Sequence, residues 1–125
     1  MNKLCPCGSQ QVLENCCMPH LLNQSAPTAE ALMRSRYTAY TLHQADYLYA
    51  TTLLSERRYT SKTEILQWAQ QNKWMKLEVL EATEKTVTFK AYYFDALGTP
   101  QIHHEKSTFK KVQDKWYYVS GKFFS

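Results

Sequence analysis

Four cysteines lie near the start of the chain, at Cys5, Cys7, Cys16 and Cys17, and the sequence contains no others. Two close pairs of thiolates separated by a short loop are typical of a tetrahedral zinc site, because zinc favours sulfur donors in structural sites. Iron competes for the same thiolates, and His20 is an alternative fourth ligand. The pattern predicts a structural Zn²⁺ ion held by the four cysteines, since four thiolates leave no open coordination position.

The expected compartment decides whether the four cysteines form a metal site or disulfide bonds. No apolar run approaches the roughly 20 residues that a bilayer crossing needs, and the start of the chain lacks the apolar core of a signal peptide. We therefore expect a cytoplasmic protein with no membrane partner, and disulfides do not persist in a reducing compartment. Neighbouring Cys16 and Cys17 are also poorly placed to pair with each other. A metal ion is the better explanation for the cluster.

The residues around these cysteines resemble a known motif, SEC-C, the zinc-binding tail of the SecA translocation ATPase. The matching residues are Cys5-Pro6-Cys7-Gly8-Ser9 and Cys16-Cys17. In that family the fourth ligand is Cys or His, and Cys17 stands at that position here. The resemblance implies a small zinc-binding lobe, which we place at residues 1–22, and a protein partner that docks on it.

A second polar cluster is predicted in the later part of the chain. Phe109 is expected to face the core, and period-two alternation along the same strand then turns Ser107, Glu105 and His103 inward as well. A buried carboxylate needs a partner, and Arg36 on a helix is the natural one. This ion pair is either a structural clamp or part of a ligand pocket with acid and base roles. The candidate pocket residues are Arg36, Tyr37, Tyr40, Tyr93, Asp95, Glu105 and Ser107.

Helices in the first half of the chain are expected to position these residues against a sheet. Thr28 is expected to cap a helix that begins at Ala29, a further helical stretch spans 47–53, and Ser61 opens a helix that ends near Asn72. From there the apolar period changes to two, which predicts strands. These strands are expected at 74–82, 86–95, 101–112 and 115–123, with an inner face of Leu77, Val79, Val87, Phe89, Ala91, Tyr93 and Phe109.

Helices followed by a curved antiparallel sheet of about four strands indicate an α+β fold. The chain of 125 residues has room for one main domain, which we place at 28–125. Several segments then extend the resemblance over the whole chain, to the YchJ-like family of small, functionally uncharacterised bacterial proteins. These segments are 28–40, Asp46-Tyr47-Leu48, His104-Glu105, Ser107, Phe109, Trp116-Tyr117-Tyr118-Val119 and Gly121. The resemblance implies a SEC-C motif joined to an NTF2-like cone.

Three functions stay open on the sequence alone. A binding or adaptor module would present the zinc lobe and the cone to a protein or a small ligand. An enzyme would use Glu105 or Asp95 as a base, but no phosphate loop or nucleophile elbow is present, so we assign no catalytic residue and favour a non-enzymatic role. Association with RNA or the ribosome would use the lysines of the last strands, although the formal charge of +4 is small.

Overall fold

The computed structural model describes residues 3–124, so the first two residues of the expected lobe and the last residue of the expected domain lie outside it. Its helices are α1 (Cys17–Asn23), α2 (Ala29–Thr41), α3 (Ala45–Ala50) and α4 (Lys62–Gln71), with 3-10 turns at Leu13–Asn15 and Leu54–Tyr59. Its strands are β1 (Lys73–Ala82), β2 (Thr86–Phe94), β3 (Pro100–Val112) and β4 (Lys115–Phe124). This order confirms the predicted α+β class.

Two of the helices begin at the expected capping residues. The Thr28 hydroxyl accepts a hydrogen bond from the Ala31 amide at 3.0 Å, and the Ser61 hydroxyl accepts one from the Glu64 amide at 3.1 Å. Each bond satisfies one of the amides that a helix start leaves without a partner. Both helix starts were therefore predictable from local chemistry.

The stretch predicted as helical over 47–53 differs in the structure. α3 starts two residues earlier, at Ala45, and ends at Ala50. Its end is fixed by pairing with the sheet, because the Leu53 amide donates to the Tyr118 carbonyl and the Tyr118 amide donates to the Thr51 carbonyl. These bonds to β4 replace the helical ones, a long-range effect that local periodicity does not report.

The strands form one antiparallel sheet in the order β1-β2-β3-β4, as predicted. Because residues directly opposite each other share a face, the register puts Phe89, Glu105 and Phe123 in one row, on the face that α2 covers. A bulge adds Val119 to β4, between the residues that pair with Thr108 and Phe109. The bulge changes the alternation along β4.

The N-terminal lobe packs on α2 and β1. The Arg34 guanidinium donates to the Cys7 carbonyl at 2.7 Å. Gly8 has a φ of +83°, and a Cβ atom there would lie 3.3 Å from the Leu77 carbonyl oxygen, so glycine suits both the backbone and the close approach. Between residues 3 and 124, no helix combines the length and the apolarity that a bilayer crossing requires.

Candidate metal centre and ligand cavity

The four cysteine sulfurs meet at one point of the lobe. All four Sγ atoms lie within 4.8 Å of one another, and all four cysteines are free thiols. A tetrahedral ion with metal–sulfur bonds of about 2.3 Å separates its sulfurs by about 3.8 Å. The Cys7–Cys16 and Cys16–Cys17 sulfurs are 3.7 and 3.9 Å apart. The donor set and its spacing therefore fit a metal ion held by four thiolates.

Short local elements bring these sulfurs together. Cys5 and Cys7 flank a turn closed by the bond from the Gly8 amide to the Cys5 carbonyl, whereas Cys16 lies between the first 3-10 turn and α1. Cys17 is the first residue of α1 and is 1% exposed. His20, the alternative ligand, lies outside this cluster, and its Nδ1 is 3.2 Å from the Ser25 hydroxyl.

The thiols of the cluster are coupled through hydrogen bonds to one another. Hydrogen bonds from Cys17 and Cys7 hold the pKa of Cys5 well below its usual value, and donating to Cys5 raises the pKa of Cys17. Without an ion the cluster shares its remaining protons, because adjacent thiolates repel each other. The Ser9 and Thr38 hydroxyls, 3.1 and 3.5 Å from the Cys16 and Cys5 sulfurs, provide hydrogen bonds to sulfur.

A separate cavity of about 220 Å³ lies between α2 and the concave face of the sheet. Its wall is mostly aromatic, with a few polar groups from β3, α2 and β4. The residues that line it are Met33, Arg36, Tyr37, Tyr40, Trp68, Trp74, Phe89, Ala91, His103, Glu105, Ser107, Phe109, Tyr118 and Phe123. The cone is therefore not filled by its own side chains.

Glu105 is the buried polar centre of this cavity, and it is only 5% exposed. Its Oε1 lies 2.6 Å from His103 Nε2, and its Oε2 accepts hydrogen bonds from Ser107 and from the Tyr118 hydroxyl, the latter at 3.0 Å. Burial alone would raise the pKa of Glu105, but the bonds from His103, Ser107 and Tyr118 outweigh it and hold the pKa below its usual value. The carboxylate is stabilised in its ionised form.

The predicted ion pair between Arg36 and Glu105 does not form. Arg36 Nη1 donates to the Leu48 carbonyl at 2.9 Å and to the Thr51 hydroxyl at 2.7 Å. The guanidinium carbon lies 4.7 Å from the centre of the Tyr118 ring. The end of α3 supplies acceptors closer to Arg36 than the sheet does, so Tyr118 stands between the two charges. Its hydroxyl binds the carboxylate, and its ring contacts the cation.

The remaining candidate pocket residues divide into two groups. Tyr37, Tyr40 and Ser107 line the cavity. Tyr93 and Asp95 are not among the lining residues, and the Tyr93 ring packs on Trp74 with the ring centres 5.1 Å apart. Asp95 lies at the β2–β3 turn instead, where its carboxylate accepts hydrogen bonds from the Leu97 and Thr99 amides and from the Gln101 amide group. The expectation that Asp95 reaches the cavity is wrong, because its turn supplies all of these donors.

Several cavity residues were not among the sequence candidates. His103 was expected to face inward but was given no role, and its Nε2 donates to the Glu105 carboxylate. Tyr118 is turned inward by the bulge at Val119, which the alternation of β4 does not report. Gly121, opposite Ser107, leaves the space that the Glu105 carboxylate occupies. The isolated glycine in a strand pattern was the available signal.

A four-thiol lobe attached to an α+β cone with an aromatic cavity defines the class of SEC-C proteins with an NTF2-like domain. The family model "YchJ, middle NTF2-like domain" matches residues 28–121, and the SEC-C motif matches residues 1–19. The chain belongs to the YchJ family. The predicted NTF2-like cone and the suspected family are thereby confirmed.

Bacterial relatives and solved structures agree with this assignment. A UPF0225 protein of Geobacter sulfurreducens is 40% identical over 97% of this chain and 80% of its own length. A UPF0225 protein of Haemophilus influenzae is 39% identical over 92% of this chain and 75% of its own length. The solution structure of a SEC-C motif containing protein from Rhodopseudomonas palustris matches with a TM-score of 0.88 and 37% identity over all of both chains. A crystal structure of a SEC-C motif containing protein from Psychrobacter arcticus matches with a TM-score of 0.76. It is 29% identical and covers 97% of this chain and 82% of its own.

Proposed function

We propose that the chain is a cytoplasmic ligand-binding module that carries one structural Zn²⁺ ion and takes a small, largely aromatic molecule in its cone. The observation that carries this proposal is the cavity of about 220 Å³ between α2 and the sheet. Large side chains surround this space without filling it, although protein interiors are normally packed to the density of organic crystals. A cavity with an apolar wall and a few converging polar groups is the usual form of a small-molecule site.

The ligand class follows from the wall and the size. Rings of Tyr40, Trp68, Trp74, Phe89 and Phe123 offer faces and edges for stacking. The volume lies below the roughly 300 Å³ at which sites for drug-sized ligands begin. A molecule with one or two rings is therefore the best fit, with a polar group directed towards His103 and Arg36.

The polar centre of the cavity is better suited to binding a ligand than to base catalysis. Both oxygens of Glu105 are occupied by donors, and its pKa is held below the usual value. A general base works best with a pKa near the working pH, and buried catalytic carboxylates are tuned upward for that reason. Glu105 instead acts as a fixed acceptor that orients the side chains of His103 and Tyr118 toward a ligand.

Zinc is the metal we propose for the lobe. Four thiolates in tetrahedral spacing form the common closed zinc site, in which the ion contributes to folding and has no open position for substrate. The cytoplasm keeps such thiols reduced. Cys5, Cys7, Cys16 and Cys17 would hold the ion. Protein purified from cells supplied with both zinc and iron should contain one zinc per chain by elemental mass spectrometry, and one iron in its place would contradict the assignment.

The cavity is tested by filling it. Ala91 is 3% exposed and lines the cavity from β2, so Ala91→Leu places extra carbon in the space. Thr88→Leu, on the opposite face of the same strand, is the matched control. A panel of one-ring and two-ring aromatic compounds should give saturation-transfer NMR signals with the wild-type protein and with the control, and much weaker signals with Ala91→Leu. Equal signals from all three proteins would show that the compounds bind elsewhere.

A further inference from the structure

The outer face of the sheet, opposite the cavity, carries a group of lysines on neighbouring strands. Lys90 of β2 faces outward, Lys106 of β3 lies two pairs further along on the same face, and Lys122 of β4 is directly opposite Lys106. Lys106 and Lys122 are exposed, and Lys90 is half-buried. We call these three residues the lysine cluster.

No lysine of the cluster forms an ion pair with another residue between 3 and 124. Within residues 3–124, the side chains at ion-pair distance from an opposite charge are those of Arg34, Lys62 and His103 with their acidic partners, and none belongs to the cluster. Glu78 lies across from Lys90, but its carboxylate accepts a hydrogen bond from Tyr92 at 2.8 Å. Like charges directly opposite each other on antiparallel strands are destabilising. The Lys106–Lys122 pair therefore has no benefit within the fold.

Exposed rings lie beside the lysine cluster. The register places Lys90, His104 and Phe124 in one row across β2, β3 and β4. The rings of His104 and Phe124 are in contact, with their centres 4.5 Å apart and their planes tilted by 39°, and Phe124 remains 40% exposed. In the next row, Ile102 is 56% exposed. Exposed rings and apolar side chains thus lie beside positive charges on the outer face of the sheet.

We propose that the outer face binds single-stranded nucleic acid, with the lysine cluster on the phosphates and the exposed Phe124 ring, beside His104, against a base. Charge complementarity supports the anionic partner, because the cluster has positive charge and no acidic neighbour that pairs with it. Aromatic rings beside lysines suit a single strand, because its unpaired bases have free faces that can stack on a ring. A rigid duplex does not offer such faces. An anionic membrane would satisfy the lysines but would make no use of the flat face of the Phe124 ring.

The experiment measures binding of a fluorescein-labelled twelve-residue oligouridylate to the full, metal-loaded chain by fluorescence anisotropy at several salt concentrations. Each phosphate contact contributes about 0.7 to the slope of log K against log salt for a single strand. Three contacts predict a slope of about −2. Lys106→Gln combined with Lys122→Gln should bring the slope to about −0.7. The thermal midpoint of this double variant should not fall, since the change removes a like-charge pair.

Two matched controls separate the site from general charge. Lys85→Gln with Lys111→Gln removes the same charge from exposed positions off this face, at lysines that form no ion pair with another described residue, and should leave the slope unchanged. Phe124→Leu keeps an apolar side chain but removes the ring, and should weaken binding about fivefold or more. Phe124→Tyr should restore it.

The proposal is overturned by any of three results. The oligonucleotide does not bind in low salt, or the control pair lowers the slope as much as the cluster pair does, or Phe124→Leu binds as tightly as the wild type. Vesicles containing phosphatidylglycerol and a poly-glutamate peptide provide the remaining comparison. Tighter binding to either of them than to the oligonucleotide would assign the face to a different partner. None of these outcomes depends on whether the cavity binds a ligand.

Discussion

Replacing Glu105 with glutamine tests the polar centre of the cavity most directly. The change keeps the shape of the side chain and removes its charge, while His103, Ser107 and Tyr118 stay in place. A hydrogen bond to a charged group contributes roughly 1.5–3 kcal/mol against about 1 kcal/mol for a neutral pair. Because the hydroxyls can rotate to accept from the new amide, we expect a net loss of about 2 kcal/mol at neutral pH. For a domain of this size that corresponds to a fall of roughly 8 °C in Tm.

The pH dependence of this loss has a definite sign. The pKa of Glu105 is lower in the folded protein than in the unfolded chain, where a glutamate titrates near about 4.3. Its ionisation therefore contributes stability that is fully present above about pH 5 and is lost as pH falls through the folded pKa. The groups that face the carboxylate are His103 from β3 and Tyr118 from β4, with Arg36 beyond the Tyr118 ring. The stability difference between wild type and variant should shrink below about pH 4.

Urea unfolding of both proteins between about pH 3.5 and pH 8, a range that spans the pKa of a free glutamate, measures this difference. Glu78→Gln is the matched control, because Glu78 also accepts from a tyrosine hydroxyl but does so on the exposed outer face. It should change stability by less than about 0.5 kcal/mol. If Glu105→Gln were as mild as that control, or if its effect did not vary with pH, the carboxylate would not be held ionised by its three donors.

Four further results are expected. Cys17→Ser should reduce the metal content measured by elemental mass spectrometry, with the far-UV circular dichroism of the main domain retained, and an unchanged metal content would contradict the ligand set. Gly121→Ala should lower stability by about 1–3 kcal/mol in urea unfolding, because a Cβ atom would displace the Glu105 carboxylate from its donors; a neutral effect would place the carboxylate elsewhere. Arg34→Ala should speed metal loss to a chelator, as its bond to the Cys7 carbonyl is removed, whereas Arg58→Ala, from an exposed position, should not. Metal removal by chelation should weaken binding of the aromatic probes to the cavity, and unchanged binding would show that lobe and cavity act separately.

The parts of the structure that local chemistry determines could be predicted from the sequence. The grouping of the four cysteines needs only short turns, and the helix starts at Thr28 and Ser61 need only their own hydroxyls. The strands and their antiparallel order follow from period-two alternation and short connections. The inward direction of Glu105 and Ser107 follows from the same alternation, and both are buried.

The parts that depend on long-range placement could not be predicted in this way. Arg36 was assigned to Glu105 because both face inward, but the partner of a long side chain depends on which acceptors lie nearest in three dimensions. The carbonyl of Leu48 and the hydroxyl of Thr51 become available only because α3 ends where the chain pairs with β4. Tyr118 enters the cavity through a bulge, which changes the alternation by one residue.

Helix α2 links the metal centre to the cavity. Arg34 and Thr38, one turn apart, face the lobe and contact Cys7 and Cys5, whereas Met33, Arg36, Tyr37 and Tyr40 of the same helix line the cavity. A helix transmits displacement along its length because its backbone is rigidly hydrogen-bonded. An ion held by the four cysteines would therefore do more than fold the lobe, because it would also fix the outer side of the helix whose inner side lines the cavity. Loss of the ion is expected to loosen that wall without altering any residue of the cavity.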